Sequence, residues 1–331
     1  MMQKTSRAVL EECLSGVRPA RIPVALWRHF PVDDQDPGNL AAATLAWQQT
    51  YQFDFVKVTP ESGYSVKDWG LDDKREGARE GTRRYSQRAI QRPEDWLHLK
   101  PLDPHTGRLG DQLLAIEKIT SALGPETPVV ETVFNPLSQV KKLVGDELLL
   151  VHMRMFPDAL HAALQTITAT TQRFINALSE TEIAGIFFAT QHAQFGVLSL
   201  EEYREFGRPY DLQVLNEAQD LWLNILHVHG SDVMFEEIVD YPVAIVNWHD
   251  RDTPPTLKDA KGLFSGVVCG GWQRYEDIVL GTPQQVKESA QAAIEATGGQ
   301  RLILGTGCVT PITAPHGNLV MARQSVLGSP S

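Results

Sequence analysis

The chain has 331 residues, 42% of them hydrophobic and 21% charged, and a net charge of −11. That length suits one large α/β domain or two ordinary ones, the acidic balance argues against nucleic acid as a general partner, and the lack of an 18-residue apolar run argues against a membrane span. Cys13, Cys269 and Cys308 are odd in number and far apart, and the opening MMQKTSRAVLEECLSG has no signal-peptide core, so a reducing cytoplasm is expected rather than a disulfide framework.

In chain order, a strand-like run at 22–27 (IPVALW) is followed by a helical pattern at 38–52 and a strand at 53–59 (FDFVKVT). Residues 60–110 carry neither pattern for long, and an insertion of that length in a compact domain is usually a lid or binding element. A helix at 111–124 leads to a strand at 128–134, and apolar residues three and four apart predict a helix over 157–180. After a strand at 182–190, Ser199 as N-cap and Glu202 three residues on form a capping box for a helix over 199–220. Strands follow at 222–228, 243–248 and 263–271. Thr282 and Pro283 then open a helix that closes at Gly298-Gly299, and 301–307 is the last strand. Eight strands, several apolar throughout, alternate with helices and predict a single (β/α)₈ TIM-type barrel domain over 1–331, with its long insertion after strand two. No G-x-G-x-x-G follows the first strand, which disfavours a doubly wound sheet.

In such a barrel the active site lies at the C-terminal ends of the strands. Five of the ten histidines fall there: His29, His192, His227, His229 and His249. Cys269 and Cys308 do so as well, joined by Arg28, Glu61, Asn135, Gln191, Asn247 and Asp250. His227 and His229 are two residues apart where a strand runs out, so both imidazoles leave on one face. Two neutral imidazoles and the Cys308 thiolate make a three-ligand N₂S set with an open fourth position, the format of catalytic zinc. The alternative is a hydrogen-bonding pair of histidines in a polar pocket. Glu61, Arg28, His192 and His249 are the candidate catalytic groups, and Asp250 is either a partner of His249 or a turn residue. Lys57 lies on strand two and faces either the pocket or the helix layer. Residues 74–108 hold nine Lys or Arg against five Asp or Glu, which is either a basic lid that attracts an anionic substrate or a solvated loop with compensating acids.

The segments RIPVALWRHFP, FDFVKVTPESGYSVKDWG, LHVHG and GTGCVTPITAPHGNLVMARQSV resemble the uroporphyrinogen decarboxylase superfamily. That group contains haem-pathway decarboxylases and zinc-dependent methyltransferases acting between corrinoid proteins and thiols. Against the decarboxylase branch, only Arg28 matches its arginine-rich segment, and Glu61 looks like the match to its aspartate beyond strand two. Gln191 stands at its serine, Thr306 at its terminal histidine, and its tyrosine has no aromatic counterpart in 136–142. Against the methyltransferase branch, His227 matches the histidine of H-x-C and Cys308 the terminal cysteine, while His229 replaces the first cysteine. The resemblance implies zinc-assisted methyl or alkyl transfer to a thiol, with zinc as cofactor. The donor would be a corrinoid carried on a partner protein, since no D-x-H-x-x-G motif occurs in this chain. The alternative is a metal-free, decarboxylase-like lyase in tetrapyrrole metabolism. Expected partners are a small-molecule substrate and a corrinoid protein, and a homodimer is compatible with the reading.

Overall fold

A computed structural model describes residues 4–327. Seven strands form one parallel sheet: β1 (Val56–Val58), β4 (Val129–Phe134), β5 (Gly185–Thr190), β6 (Ile225–Val228), β7 (Ile245–Trp248), β8 (Val267–Trp272) and β9 (Leu302–Thr306), hydrogen-bonded in that order. The two remaining strands, β2 (Asp72–Arg75) and β3 (Arg83–Gln87), pair as an antiparallel hairpin inside the insertion. The eighth stave is the segment 22–27, and it joins the two edges. Ala25 N donates to Leu304 O at 3.0 Å, Leu304 N to Pro23 O at 2.8 Å, and Asp54 N to Val24 O at 2.8 Å. The barrel expected from the sequence therefore closes, but its first stave is a single bridge at Val24 rather than a ladder. Pro23 has no N–H to give, so a regular ladder cannot run through it.

Strands covered on both faces read as continuous apolar runs, and the helices supply the outer layer. In the helix Pro157–Ser179, Leu160, Ala163, Leu164, Ile167, Phe174, Ile175 and Leu178 are buried, one stripe at spacings of three and four. The expected capping box of Ser199 with Glu202 forms, and Thr282 caps its helix as expected and makes a second box with Gln285. The helix expected over 199–220 breaks in two, Leu200–Phe206 and Arg208–Glu217. Pro209 lacks the N–H that a continuous helix needs there. No described helix is long and apolar enough to cross a membrane.

Within the insertion, the buried Glu61 carboxylate accepts from Lys67 Nζ at 2.7 Å, Arg108 Nη2 at 2.9 Å and Gln35 Nε2 at 3.0 Å. Arg83 Nε is 3.5 Å from it and also binds the buried Asp73, which Lys67 approaches at 3.3 Å. Arg88 donates to the carbonyls of Lys141 and Lys142. Much of the basic surplus of 74–108 is thus consumed in holding the insertion to the barrel, not displayed as a lid of free cations. The tip of the hairpin reaches the C-terminal mouth. Ile312 N donates to Arg79 O at 2.9 Å, and Glu80 pairs with Arg274 of the loop after β8 at 2.6 Å. Gly81, at φ +81°, lies so close to the first stave that a Cβ would sit 2.8 Å from His29 Cβ. Both its backbone angle and its position need a glycine.

Candidate metal centre

At the mouth, the ends of β6, β7 and β9 bring His227, His229, His249 and Cys308 together. One donor atom from each lies within 4.8 Å of all the others. His229 Nδ1 is 3.4 Å from His249 Nε2 and 3.6 Å from Cys308 Sγ. Ligands of one tetrahedral zinc, at about 2.05 Å for nitrogen and 2.3 Å for sulfur, stand about 3.4 Å (N–N) and 3.6 Å (N–S) apart. The donor set fits zinc, and so do the two separations from His229 Nδ1. The pair HVH does leave one strand end together with Cys308 opposite. The open fourth position expected from three ligands instead has a donor facing it, His249.

The approach of Cys308 depends on Gly307. A Cβ there would lie 2.6 Å from His249 Cα and 2.8 Å from Trp248 O, a backbone contact that no rotamer change relieves. Gly307→Ala is expected to push the β9 loop from the β7 loop and weaken zinc binding roughly 10- to 100-fold, as loss of a supporting contact does, with the barrel still folded. Competition with a zinc-binding dye, alongside a melting curve, measures both.

His227 is oriented from behind. Its Nδ1 lies 2.7 Å from Asn247 Oδ1, and Asn247 Nδ2 donates to Cys269 O at 2.9 Å and Thr306 O at 3.1 Å. The amide oxygen must therefore face the imidazole, Nδ1 carries the proton, and Nε2 is left as the lone-pair donor. The Phe187 ring stacks on His227 with centroids 5.3 Å apart. Burial alone would raise the Cys308 thiol, but His227, His229 and His249 outweigh it and hold the thiol well below its ordinary range. Burial would also disfavour protonation of His229, but the adjoining sulfur raises it, while His227 is lowered chiefly by burial.

The cluster opens on a cavity of about 100 Å³ that His29, Lys57, Gln191, His227, His229 and Cys308 line from the barrel. Ser62, Glu80 and Thr82 line it from the insertion. None of these three residues is a candidate site residue from sequence, where the length of 60–110 and the basic surplus of 74–108 mark the insertion only as a whole.

The other sequence candidates lie elsewhere. Glu61 is not among the residues lining the cavity, because Lys67, Arg83 and Arg108 hold its carboxylate within the insertion. Arg28 lies over the Trp47 ring at 4.7 Å and the Phe30 ring at 5.2 Å, with Nη1 3.5 Å from Ile312 O, and it too is absent from the lining. His192 is buried beside the cluster and is not a donor in it, its Nδ1 having no partner. The Asp250 carboxylate makes no hydrogen bond or ion pair with the His249 ring. It accepts from Gly271 N at 3.1 Å, burial raises its carboxyl to about 7, and His249 faces Asp252 at 3.6 Å instead. The cluster draws on His249, which sequence reasoning placed among the catalytic groups.

Burial, aided by Lys57 at His29 and Lys141 at His192, pushes both imidazoles down to about 3. Unfolded, each would protonate near 6.5, so the unfolded state binds more protons between these values. Their contribution to stability is complete above pH 6.5 and is lost as pH falls toward 3. Acidification from pH 6.5 to 5 is expected to cost roughly 1.5 kcal/mol per histidine. Urea titrations at the two pH values test this, and His29→Asn should reduce the slope.

A family model described as Uroporphyrinogen decarboxylase (URO-D) matches residues 17–326. The Methylcobamide:CoM methyltransferase MtbA of Methanosarcina mazei is 23% identical over 233 residues, covering 70% of this chain and 67% of that protein. The protein of the same description from Methanosarcina acetivorans is 22% identical over 232 residues, with the same coverage of 70% and 67%. Among solved structures, a methyltransferase from Methanosarcina mazei aligns with a TM-score of 0.84 at 17% identity over 98% of each chain. A B12-independent methionine synthase from Shewanella sp. W3-18-1 aligns with a TM-score of 0.63 at 11% identity, over 92% of this chain and 97% of that one. These two structures share the fold.

Proposed function

The chain belongs to the uroporphyrinogen decarboxylase family, and on that premise we propose that this enzyme transfers a methyl or alkyl group to a thiol at a zinc site, with a corrinoid protein as donor. The observation that carries the reading is the convergence of three imidazoles and one thiol, with donor atoms all within 4.8 Å and the two separations from His229 Nδ1 at the spacing of tetrahedral ligands. The methyltransferases named above support the reaction class. His227 Nε2, His229 Nδ1 and Cys308 Sγ would hold the ion, and His249 Nε2 is the fourth donor. Zinc bound there would keep a substrate thiol in its thiolate form and so make it nucleophilic at neutral pH. Asn247 fixes the His227 tautomer, Gly307 sets the position of Cys308, and the insertion tip excludes water from the cavity. His249 belongs to the short loop after β7 and has a 3.6 Å contact with the half-exposed Asp252. It is the donor we assign to give way when a thiol enters.

The lyase alternative has less support. It needs Glu61 against a pyrrole ring, yet three cations hold that carboxylate outside the cavity. The cavity, at about 100 Å³, is also far below the ~300 Å³ at which pockets for drug-sized ligands begin. A corrinoid would therefore meet the thiol from outside the mouth. Metal analysis of untagged protein should find about one zinc per chain, and a chelator should abolish methyl transfer from methylcobalamin to a thiol. Protein that holds no zinc after incubation with it would overturn the reading.

A further inference from the structure

Five of the thirteen large apolar side chains exposed on the described surface lie together: Leu97, Leu148, Val151, Met155 and Phe156. Three of them stand on the helix Asp146–Met155, which buries Leu149, His152 and Met153 on its inner side. Leu148, Val151 and Met155 are three and four residues apart, so they form a second apolar stripe, turned toward solvent. The stripe continues past the helix end. Trp96 Nε1 donates to His152 Nδ1 at 2.9 Å, and the His152 ring packs edge-on against Trp96 and Phe156, with centroids 6.0 and 6.1 Å away. The turn Pro93–His98, which carries Leu97, is thereby held beside Phe156. Single exposed apolar residues need no partner, but a contiguous patch on a helix that is apolar on two sides does.

The charges beside the stripe point to what covers it. Glu147 and Arg154 are both exposed and seven residues apart, two helical turns along the same edge of the stripe. Arg154 gives Nε to Glu202 at 2.7 Å, and Glu147 has no ion pair among the described residues. A two-fold axis at Val151 lays the helix antiparallel on its own copy, stripe against stripe. It also brings Glu147 of each subunit to Arg154 of the partner subunit, twice by symmetry. An acid at one end and a base at the other are matched in this way by the helix itself. The five side chains expose roughly 500 Å², the apolar share of the ~800 Å² that each partner gives to a standard interface. We propose that the protein is a homodimer, formed by antiparallel packing of the helix Asp146–Met155 against its own copy. None of the five residues lines the cavity, so pairing leaves the metal centre accessible, and the dimer does not depend on the zinc reading above.

Analytical ultracentrifugation of the full, untagged chain tests the pairing. Between about 1 and 100 µM the wild type should pass from one chain to two, the weak end of what interfaces of this size give. Val151→Asp sets a charge on the two-fold axis in both copies. It should weaken association roughly 100-fold and leave the melting curve of the single chain unchanged, since the side chain is exposed there. Glu147→Arg places two pairs of cations against each other, and Arg154→Glu two pairs of anions, so each should weaken association roughly 10-fold. An equimolar mixture of these two variants should recover most of the lost affinity, because only the mixed pair meets opposite charges at both ends. A wild type that remains a single chain at about 100 µM would overturn the proposal, whatever else binds the stripe. So would a dimer indifferent to Val151→Asp, which would place the contact elsewhere. A mixture no tighter than its two components would also overturn it, by excluding antiparallel self-pairing.

Discussion

His229→Ala is expected to weaken zinc binding strongly while leaving the barrel folded. Four-ligand protein zinc sites are worth roughly 10–16 kcal/mol, so one ligand accounts for about 3 kcal/mol, on the order of a 100-fold loss of affinity. His229 sits just past the end of β6, and its Nδ1 is the donor from which both short separations in the cluster are measured, 3.4 Å to His249 and 3.6 Å to Cys308. The core does not rely on it, since β6 ends at Val228 and its ladder to β7 runs through main-chain bonds. Zinc content, a competition titration and a melting curve on the same preparation make the measurement. A zinc affinity and an activity equal to wild type in His229→Ala would refute the assignment.

Glu61→Leu is expected to show the opposite pattern, a large loss of stability with little change in the cluster itself. The carboxylate is fully buried and faces Lys67, Arg83 and Arg108, each of which is mostly buried. Removing the shared anion leaves those three cations close together with only Asp73 and Asp111 to offset them, a change expected to cost up to about 3 to 5 kcal/mol. Because the insertion is held to the barrel through this network, its hairpin should also lose hydrogen-exchange protection before the rest of the molecule. Urea unfolding with exchange mass spectrometry reads both effects. A midpoint equal to wild type, with zinc affinity lost instead, would place Glu61 in the site after all.

These two residues show how far the sequence could be read. Strand ends follow from runs of apolar residues, and two-residue periodicity places His227 and His229 on one face. The barrel and three members of the cluster were therefore legible, together with the position of His249 at the same mouth. Side-chain direction within a loop was not. Glu61 and His192 both follow strands, yet Glu61 turns into the insertion and His192 is buried beside the cluster without donating to it. Nor could periodicity alone tell which face of strand two meets the cavity. That required the pairing of Lys57 with Val130. The roles of Glu80 and Arg274 depend on where a distant hairpin tip lands, a tertiary contact with no local signature.

The Asn247 amide has a consequence for which substitutions the site will accept. It joins β6, β8 and β9 through one side chain, and on the two later strands it uses only main-chain oxygens, those of Cys269 and Thr306. The side chains at those two positions can vary without altering what His227 presents to the site, because every residue type offers the same carbonyl. Position 247 is not interchangeable in this way. Aspartate there would set a second oxygen against two carbonyl oxygens, and leucine would leave the imidazole proton unclaimed and both ring tautomers open. One residue thus has a restricted vocabulary so that a neighbour can have a free one, and variation among relatives at 269 would carry no information about what His227 presents, whereas Thr306 also donates its hydroxyl to Cys308 O at 2.6 Å.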